Sequence, residues 1–440
     1  MKILHLSDVH LGSGFAHGRF NPATGLNTRL EDFVCSLSRC IDRAINEPVD
    51  LVLFGGDAFP DATPPPVVQE AFASQFRRLV DAQIPTVLLV GNHDQHSQGQ
   101  GGASLCIYRT LGVPGFVVGD RLETHHIQTQ KGLVQVITLP WLTRSTLLTR
   151  PETEGLSLAD VNQLLVNRLV VALEGEIRQL KPNLPTVLLA HLMTDTACFG
   201  AERFLAVSKG FTVPMSLLAR PCFDYVALGH VHKHQILCED PLVVYPGSIE
   251  RVDFGEEAED KGFMLVEIEP GQTRVEFCQL PVRPFRTLKI DLSQVETNPQ
   301  AALLKIIKPE VTQDAIVRLI YQLRADQLEQ IDTAAVQEAL RLAHSYTIHP
   351  ELVSQLARPR LPELGVGSGI APLEALQTYL NNREDLKDIA AEMREAAQNL
   401  LVTDEEVWLD PFDFEEELEE DVHQQRQSQL QATETQLRLL

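Results

Sequence analysis

Six short apolar runs in this 440-residue chain each stop at, or just before, a polar residue able to bind a hard metal or touch a phosphate. Residues 2–7 lead into Asp8-Val9-His10, residues 49–54 into Gly55-Gly56-Asp57, and residues 84–90 into Gly91-Asn92-His93-Asp94. Residues 184–190 lead into His191, residues 224–228 into Gly229-His230-Val231-His232, and residues 242–245 into Pro246-Gly247-Ser248. Carboxylates, imidazoles and an amide oxygen without thiolates suit Mn²⁺, Fe²⁺ or Zn²⁺. Asp8, His10, Asp57, Asn92, His191, His230 and His232 are too many ligands for one ion with an open position. They suit two ions about 4 Å apart, with Asp57 able to bridge them, an arrangement that binds a phosphoryl oxygen, activates water near neutral pH and supports in-line displacement. Asp8 and His10 are two residues apart, so an extended chain there points both to one side.

These donors must be positioned by the runs that precede them. Apolar runs of four to eight residues rich in Val, Ile and Leu read as buried strands. In open α/β sheets the site lies beyond the carboxyl ends of such strands. Residues 28–46 and 67–82 carry apolar side chains at helical spacing, giving an alternation of strand and helix and an α/β fold. Residues 262–268 and 273–280 read as a late hairpin around Pro270-Gly271. The first domain therefore spans 1–280, and Pro281-Val282-Arg283-Pro284 reads as a boundary. A small α/β module follows over 284–350, with strands at 286–292, 315–323 and 345–348 and helices at 300–307 and 334–342. Residues 351–372 read as a linker, their Pro- and Gly-rich part beginning at 358. A helical, acidic region fills 373–440, with one long helical pattern over 373–401.

Apolar residues make up 44% and charged residues 22% of the chain, the balance of a soluble globular protein. No apolar run approaches the roughly 18 residues needed to span a bilayer, so no membrane partner is expected. The chain opens directly on a strand, without a basic-then-apolar leader, and its seven cysteines are scattered without a C-x-x-C pair. A cytoplasmic location with free thiols is the expectation. The net charge of −23 argues against a protein that coats DNA. Much of that charge lies in residues 371–440, where 18 Asp and Glu face 5 Lys and Arg.

The order Asp8-x-His10, Gly56-Asp57, Gly91-Asn92-His93-Asp94, His191 and Gly229-His230-x-His232 resembles the calcineurin-like metallophosphoesterase signature. The run from Lys2 to Gly12, the segment Arg29-Leu-Glu-Asp-Phe33, Gly56-Asp57-Ala-Phe59 followed by Pro64-Pro65, and Gly229-His-Val-His-Lys233 further resemble the SbcD-type exonuclease subunits. The resemblance implies an αββα sandwich over residues 1–280, a small α/β capping domain that orients DNA, and a C-terminal helical tail. It implies one ion on Asp8, His10, Asp57 and His232, another on Asp57, Asn92, His191 and His230, and Mn²⁺ as the expected metal. His93 is implied as a catalytic histidine that stabilises the pentavalent phosphorus or protonates the leaving O3′. Asp94 either orients His93 or is a solvent-facing turn residue. Some relatives carry a second active-site His three residues after the bridging Asp, where this chain has Pro60.

The activity implied is 3′–5′ double-strand exonuclease and single-strand endonuclease action on DNA in repair and recombination. A separate SbcC-like coiled-coil ATPase and a homodimer are the implied partners. This chain lacks a G-x-x-x-x-G-K-[ST] loop of its own. The helical pattern at 373–401 either docks that ATPase or folds back on its own domain. Lys233, Ser248 and Arg251 are candidate phosphate contacts, with turn chemistry an equal explanation of Ser248. The alternative function is a metallophosphoesterase acting on a non-DNA phosphodiester or phosphomonoester.

Overall fold

The computed structural model describes residues 1–96, 102–143, 156–198, 212–353, 372–381 and 390–403. Two six-stranded sheets dominate. In the first, Lys2–Leu6, Leu51–Phe54, Thr86–Leu89 and Phe116–Gly119 run parallel in that order, and the antiparallel pair Gly262–Glu269 and Gln272–Gln279 adds to the open side of Lys2–Leu6. In the second, Leu242–Tyr245, Tyr225–Gly229, Thr186–His191 and Gly132–Leu139 run parallel, flanked by the antiparallel strands Gln235–Glu239 and Glu123–Thr129.

The parallel strands that lead to the site bury both of their faces, and the period-2 alternation divides their side chains between cores. Leu51, Leu53, Val187 and Leu189 meet between the sheets. Val52 and Phe54 face outward onto the helices Thr28–Asn46 and Pro66–Asp81, through Phe33, Leu37, Phe72 and Phe76. Leu188 and Ala190 face the opposite way, onto Leu165, Leu169 and Leu173 of the helix Leu158–Ile177. The result is the helix–sheet–sheet–helix sandwich expected. Asn27 caps the first helix by accepting from the Arg29 amide, and Pro66 opens the second, where its missing N–H is no loss. No helix among the described residues is long and apolar enough to cross a membrane.

The sequence reading names no element between residues 95 and 183. The structure places there the strand Phe116–Gly119, the hairpin Glu123–Thr129/Gly132–Leu139 and the helix Leu158–Ile177, which complete the two sheets and cover the second one. The hairpin reads poorly because its first strand, Glu-Thr-His-His-Ile-Gln-Thr, is a polar edge strand.

The small module has its own core, with Leu303, Val317, Leu319, Tyr321, Leu323, Val336 and Leu340 buried. Its strands Phe285–Asp291, Ile316–Leu323 and Ser345–Leu352 are parallel. The last of these continues past residue 348, because Pro350, Glu351 and Leu352 still pair with Tyr321, Gln322 and Leu323. A proline is tolerated on such an edge strand, so residues 351–353 are not linker. Arg283 ties the module to the sandwich by a two-pronged contact, Nε to Asp32 Oδ2 and Nη2 to Asp32 Oδ1, both 2.7 Å. Thr28 Oγ1 meets His344 Nε2 at 2.9 Å, and the Ser345 hydroxyl donates to the His17 carbonyl.

Met1–Val353 forms one compact unit. In the second unit the described part of the long helical pattern lies in the helices Pro372–Asn381 and Ala390–Thr403. The rest of the expected linker and the acidic stretch after residue 403 lie outside the described residues.

Candidate metal centre

Parallel strands put their carboxyl ends on one edge of each sheet, and the two edges meet. Asp8, His10, Asp57 and Asn92 follow strands of the first sheet, and His191, His230 and His232 end or follow strands of the second. The chain is not extended where it delivers them. Asp8, His10, Asp57 and His230 have φ of 52°, 43°, 58° and 102°. Non-glycine residues rarely take that region, and clusters of them mark sites where surrounding structure pays for strain. Asp8 and His10 thus reach one place through left-handed turns rather than through the pleat of a strand. Glycine is required at Gly91, where a Cβ would sit 2.1 Å from Asp57 Oδ1.

Asp57 is the centre of the arrangement. Its Oδ2 lies 3.5 Å from His10 Nε2 and 3.4 Å from His191 Nε2, one histidine from each sheet. On one side, His10 Nε2 faces His232 Nε2 at 3.0 Å, and Asp8 stands in the same cluster. On the other, Asn92 Oδ1 lies 2.9 Å from both His191 Nε2 and His230 Nδ1. All these groups are buried except the half-buried Asn92.

Burial opposes charge on Asp57, but His191, then His10 and His93, outweigh it and hold the carboxyl well below its ordinary range. Burial likewise opposes a charged His191, and Asp57 overcomes it, pushing that imidazole up to about 9. His191 Nδ1 faces the Gly55 carbonyl at 2.7 Å, an oxygen that only accepts, so that nitrogen donates. Its Nε2 faces only oxygens as well. That nitrogen, Asp57 Oδ2 and Asn92 Oδ1 together could hold a cation. His230 goes the other way: burial, then the neighbouring His191, lowers it to about 3. Its Nε2 is buried without a hydrogen-bond partner.

Such a set fits divalent ions. His, Asp and Asn donors converge without thiolates, and the groups Asp8–His10–His232 and Asp57–His191–His230 each bring ligand atoms within 4.8 Å of one another. His10 and His232 present ring nitrogens to each other across a gap that a shared cation fills better than a shared proton.

His93, half-buried, joins His10 and Asp57 in a third group. Its Nδ1 donates to the Pro60 carbonyl at 2.8 Å, which leaves Nε2 as its exchanging nitrogen. Pro60, where some relatives carry a histidine, therefore supplies a backbone oxygen that fixes the His93 tautomer. Asp94 does not orient His93 and does not face solvent. It is fully buried and accepts from the backbone N–H groups of Asp57, Ala58 and Gly91 at 2.8, 2.9 and 2.9 Å. Oδ2 takes two of these groups and Oδ1 the third, and among the described residues no hydrogen bond joins Asp94 to His93. Burial and the nearby Asp57 charge push its carboxyl up to about 7.

Two of the three candidate phosphate contacts are spent internally. Ser248 is fully buried and its hydroxyl donates to the Glu250 carbonyl. Arg251, half-buried, directs its guanidinium at the carbonyls of Glu256, Arg283 and Glu259 and so braces the backbone. Lys233 is exposed.

The sequence reading missed Glu256, whose Oε1 lies 2.6 Å from His232 Nδ1, and Lys261, whose Nζ pairs with Glu256 at 2.8 Å. Neither sits in a motif. A buried Glu and a fully buried Lys inside an acidic surface stretch give no sequence signal of their own. Trp141 lies with its ring centroid 4.7 Å from that of His230.

A family model described as calcineurin-like phosphoesterase matches residues 1–234, which include all seven donors and His93. Matching solved structures include the TT1561 protein of Thermus thermophilus, 16% identical, covering 63% of this chain and 98% of its own, with a TM-score of 0.34. A dimetal phosphatase from Danio rerio is 12% identical over 63% of this chain and 95% of its own, with a TM-score of 0.36. A purple acid phosphatase from yellow lupin (Lupinus luteus) is 12% identical over 63% of this chain and 51% of its own, with a TM-score of 0.34. The family match covers more than half of the sequence, and this chain belongs to the calcineurin-like phosphoesterases.

Proposed function

We propose that this phosphoesterase acts on DNA, as the SbcD-like nuclease subunit that works with an SbcC-like coiled-coil ATPase. The observation that carries the reading is the small module packed on the sandwich. It is tied through His344 and Ser345 to Thr28 and His17, in the segment that follows His10. A small-diester hydrolase has no need of such a module, whereas a polymer substrate must be held in register.

In this reading Asp8, His10, Asp57 and His232 would hold one divalent ion, and Asp57, Asn92, His191 and His230 would hold the other. Bound there, the ions supply Lewis acidity towards a phosphoryl oxygen and lower the pKa of water, with Mn²⁺ the proposed metal. Asp57, anchored by its Oδ1 to the His93 amide at 2.9 Å, keeps the two halves in register. As a water oxygen bonds to phosphorus, losing its proton to solvent, and the P–O3′ bond breaks, a doubly protonated His93 gives its Nε2 proton to the leaving oxygen and keeps the Nδ1 proton that Pro60 accepts. Asp94 keeps the two turns that carry Asp57 and Asn92 in place. The module at about 284–350 orients the duplex, and exposed Lys233 contributes charge to the backbone contact.

End-labelled linear duplex DNA and a small chromogenic phosphodiester, each with Mn²⁺ and with or without the ATPase, test the proposal. Nucleotide release from DNA that the ATPase and ATP strengthen, and that His93→Ala abolishes, is the expected result. Hydrolysis of the small diester alone, with DNA intact even beside the ATPase, would transfer the assignment to a small-substrate phosphodiesterase.

A further inference from the structure

His232 is supported differently from the other candidate ligands. Its Nδ1 donates to Glu256 Oε1 at 2.6 Å, and Glu256 is 2% exposed. The other oxygen, Oε2, accepts from Lys261 Nζ at 2.8 Å and from the Val252 amide at 3.0 Å. Lys261 Nζ also reaches Glu259 Oε2 at 2.8 Å and the His232 carbonyl at 3.2 Å. The contacts close a ring: His232 side chain, Glu256, Lys261, His232 backbone. Arg251 braces the same turn from outside through the Glu256 and Glu259 carbonyls, and Glu257 accepts the Thr287 amide of the small module at 3.0 Å with both oxygens.

We propose that Glu256, locked by Lys261, is the positioning residue that fixes the His232 ring and tautomer so that Nε2 is delivered to the ion shared with His10. The inference rests on the two-ion reading above. A carboxylate on the far nitrogen of a ligating histidine sets its orientation and raises its basicity, and losing it weakens metal binding by roughly 10–100-fold. Among the described residues no such carboxylate backs His191, whose Nδ1 is held by a backbone carbonyl instead. Loss of Glu256 therefore affects one ion and spares the other.

Calorimetric Mn²⁺ titration of the full chain tests this, with wild type, Glu256→Gln, Glu256→Leu and His232→Ala compared alongside their thermal melts. Glu256→Gln keeps an acceptor for Nδ1–H and the side-chain volume, which covers the case of a poorly folding Glu256→Leu. The expected result is one binding step weakened by roughly 10–100-fold in Glu256→Leu, by less in Glu256→Gln, and a second step unchanged in both. His232→Ala should lose the same step. Wild-type affinity at both steps in the two Glu256 variants, beside a lost step in His232→Ala, overturns the positioning role. Two unchanged steps in His232→Ala overturn the metal-site reading beneath it.

Discussion

Asp94 accepts three backbone N–H groups, and an amide in its place offers one oxygen where two now work. Asp94→Asn should therefore lower unfolding free energy by about 1–3 kcal/mol and loosen both metal-bearing turns. Chemical denaturation beside Mn²⁺ titration checks it, and full stability with slowed hydrolysis would return Asp94 to a place beside the reacting atoms. His93→Ala is the converse case. It should retain both ions and lose roughly 10²- to 10⁴-fold in turnover, because its contribution is a proton and not a ligand bond. Normal turnover in that variant contradicts its role. Residue types and order were legible because each strand stops at its donor. Orientation was not, since the left-handed turns at Asp8, His10 and Asp57 obey no spacing rule. Glu256 follows His232 by 24 positions and meets it only through the fold.

The strands that end at the donors were legible for a related reason: buried on both faces, they read as continuous apolar runs. Their pairing was not, and the antiparallel insertion of Gly262–Glu269 beside Lys2–Leu6 has no local cue. Between the sheets His5 Nδ1 meets the Tyr225 hydroxyl at 2.9 Å. Burial there pushes His5 down to about 3. The unfolded chain takes up that proton near pH 6.5, so between the two values it binds more protons than the folded one, and stability falls as pH drops through this window. His5→Gln removes the titration, and its urea midpoint should decline less from pH 6.5 to 4 than that of wild type. Equal slopes would remove His5 from the account. At the module joint, burial alone would raise the Asp32 carboxyl, but the hydrogen bonds and charge of Arg283, then Arg29, hold it below its ordinary range. Asp32→Asn should cost about 1–3 kcal/mol and expose residues 281–284 to limited proteolysis. Unchanged cleavage would mean that other contacts hold the module.

At the scale of the whole molecule, the charge is the unusual quantity. A net −23 is a poor match for a polyanion, and much of it belongs to residues 371–440. We expect deletion of residues 370–440 to abolish capture of the SbcC-like ATPase while hydrolysis of a small diester persists, since every candidate ligand lies before residue 233. Undiminished capture would assign that partner to another surface. The central claim is that side chains from two sheets form one two-ion hydrolytic centre bridged by Asp57. The most direct measurement is the number of Mn²⁺ ions bound per chain, taken with phosphodiester hydrolysis, in wild type and in Asp57→Asn. The account predicts two ions and turnover in wild type, with weakened binding of the pair and loss of turnover in the variant. Two tightly bound ions and full turnover in Asp57→Asn would contradict it.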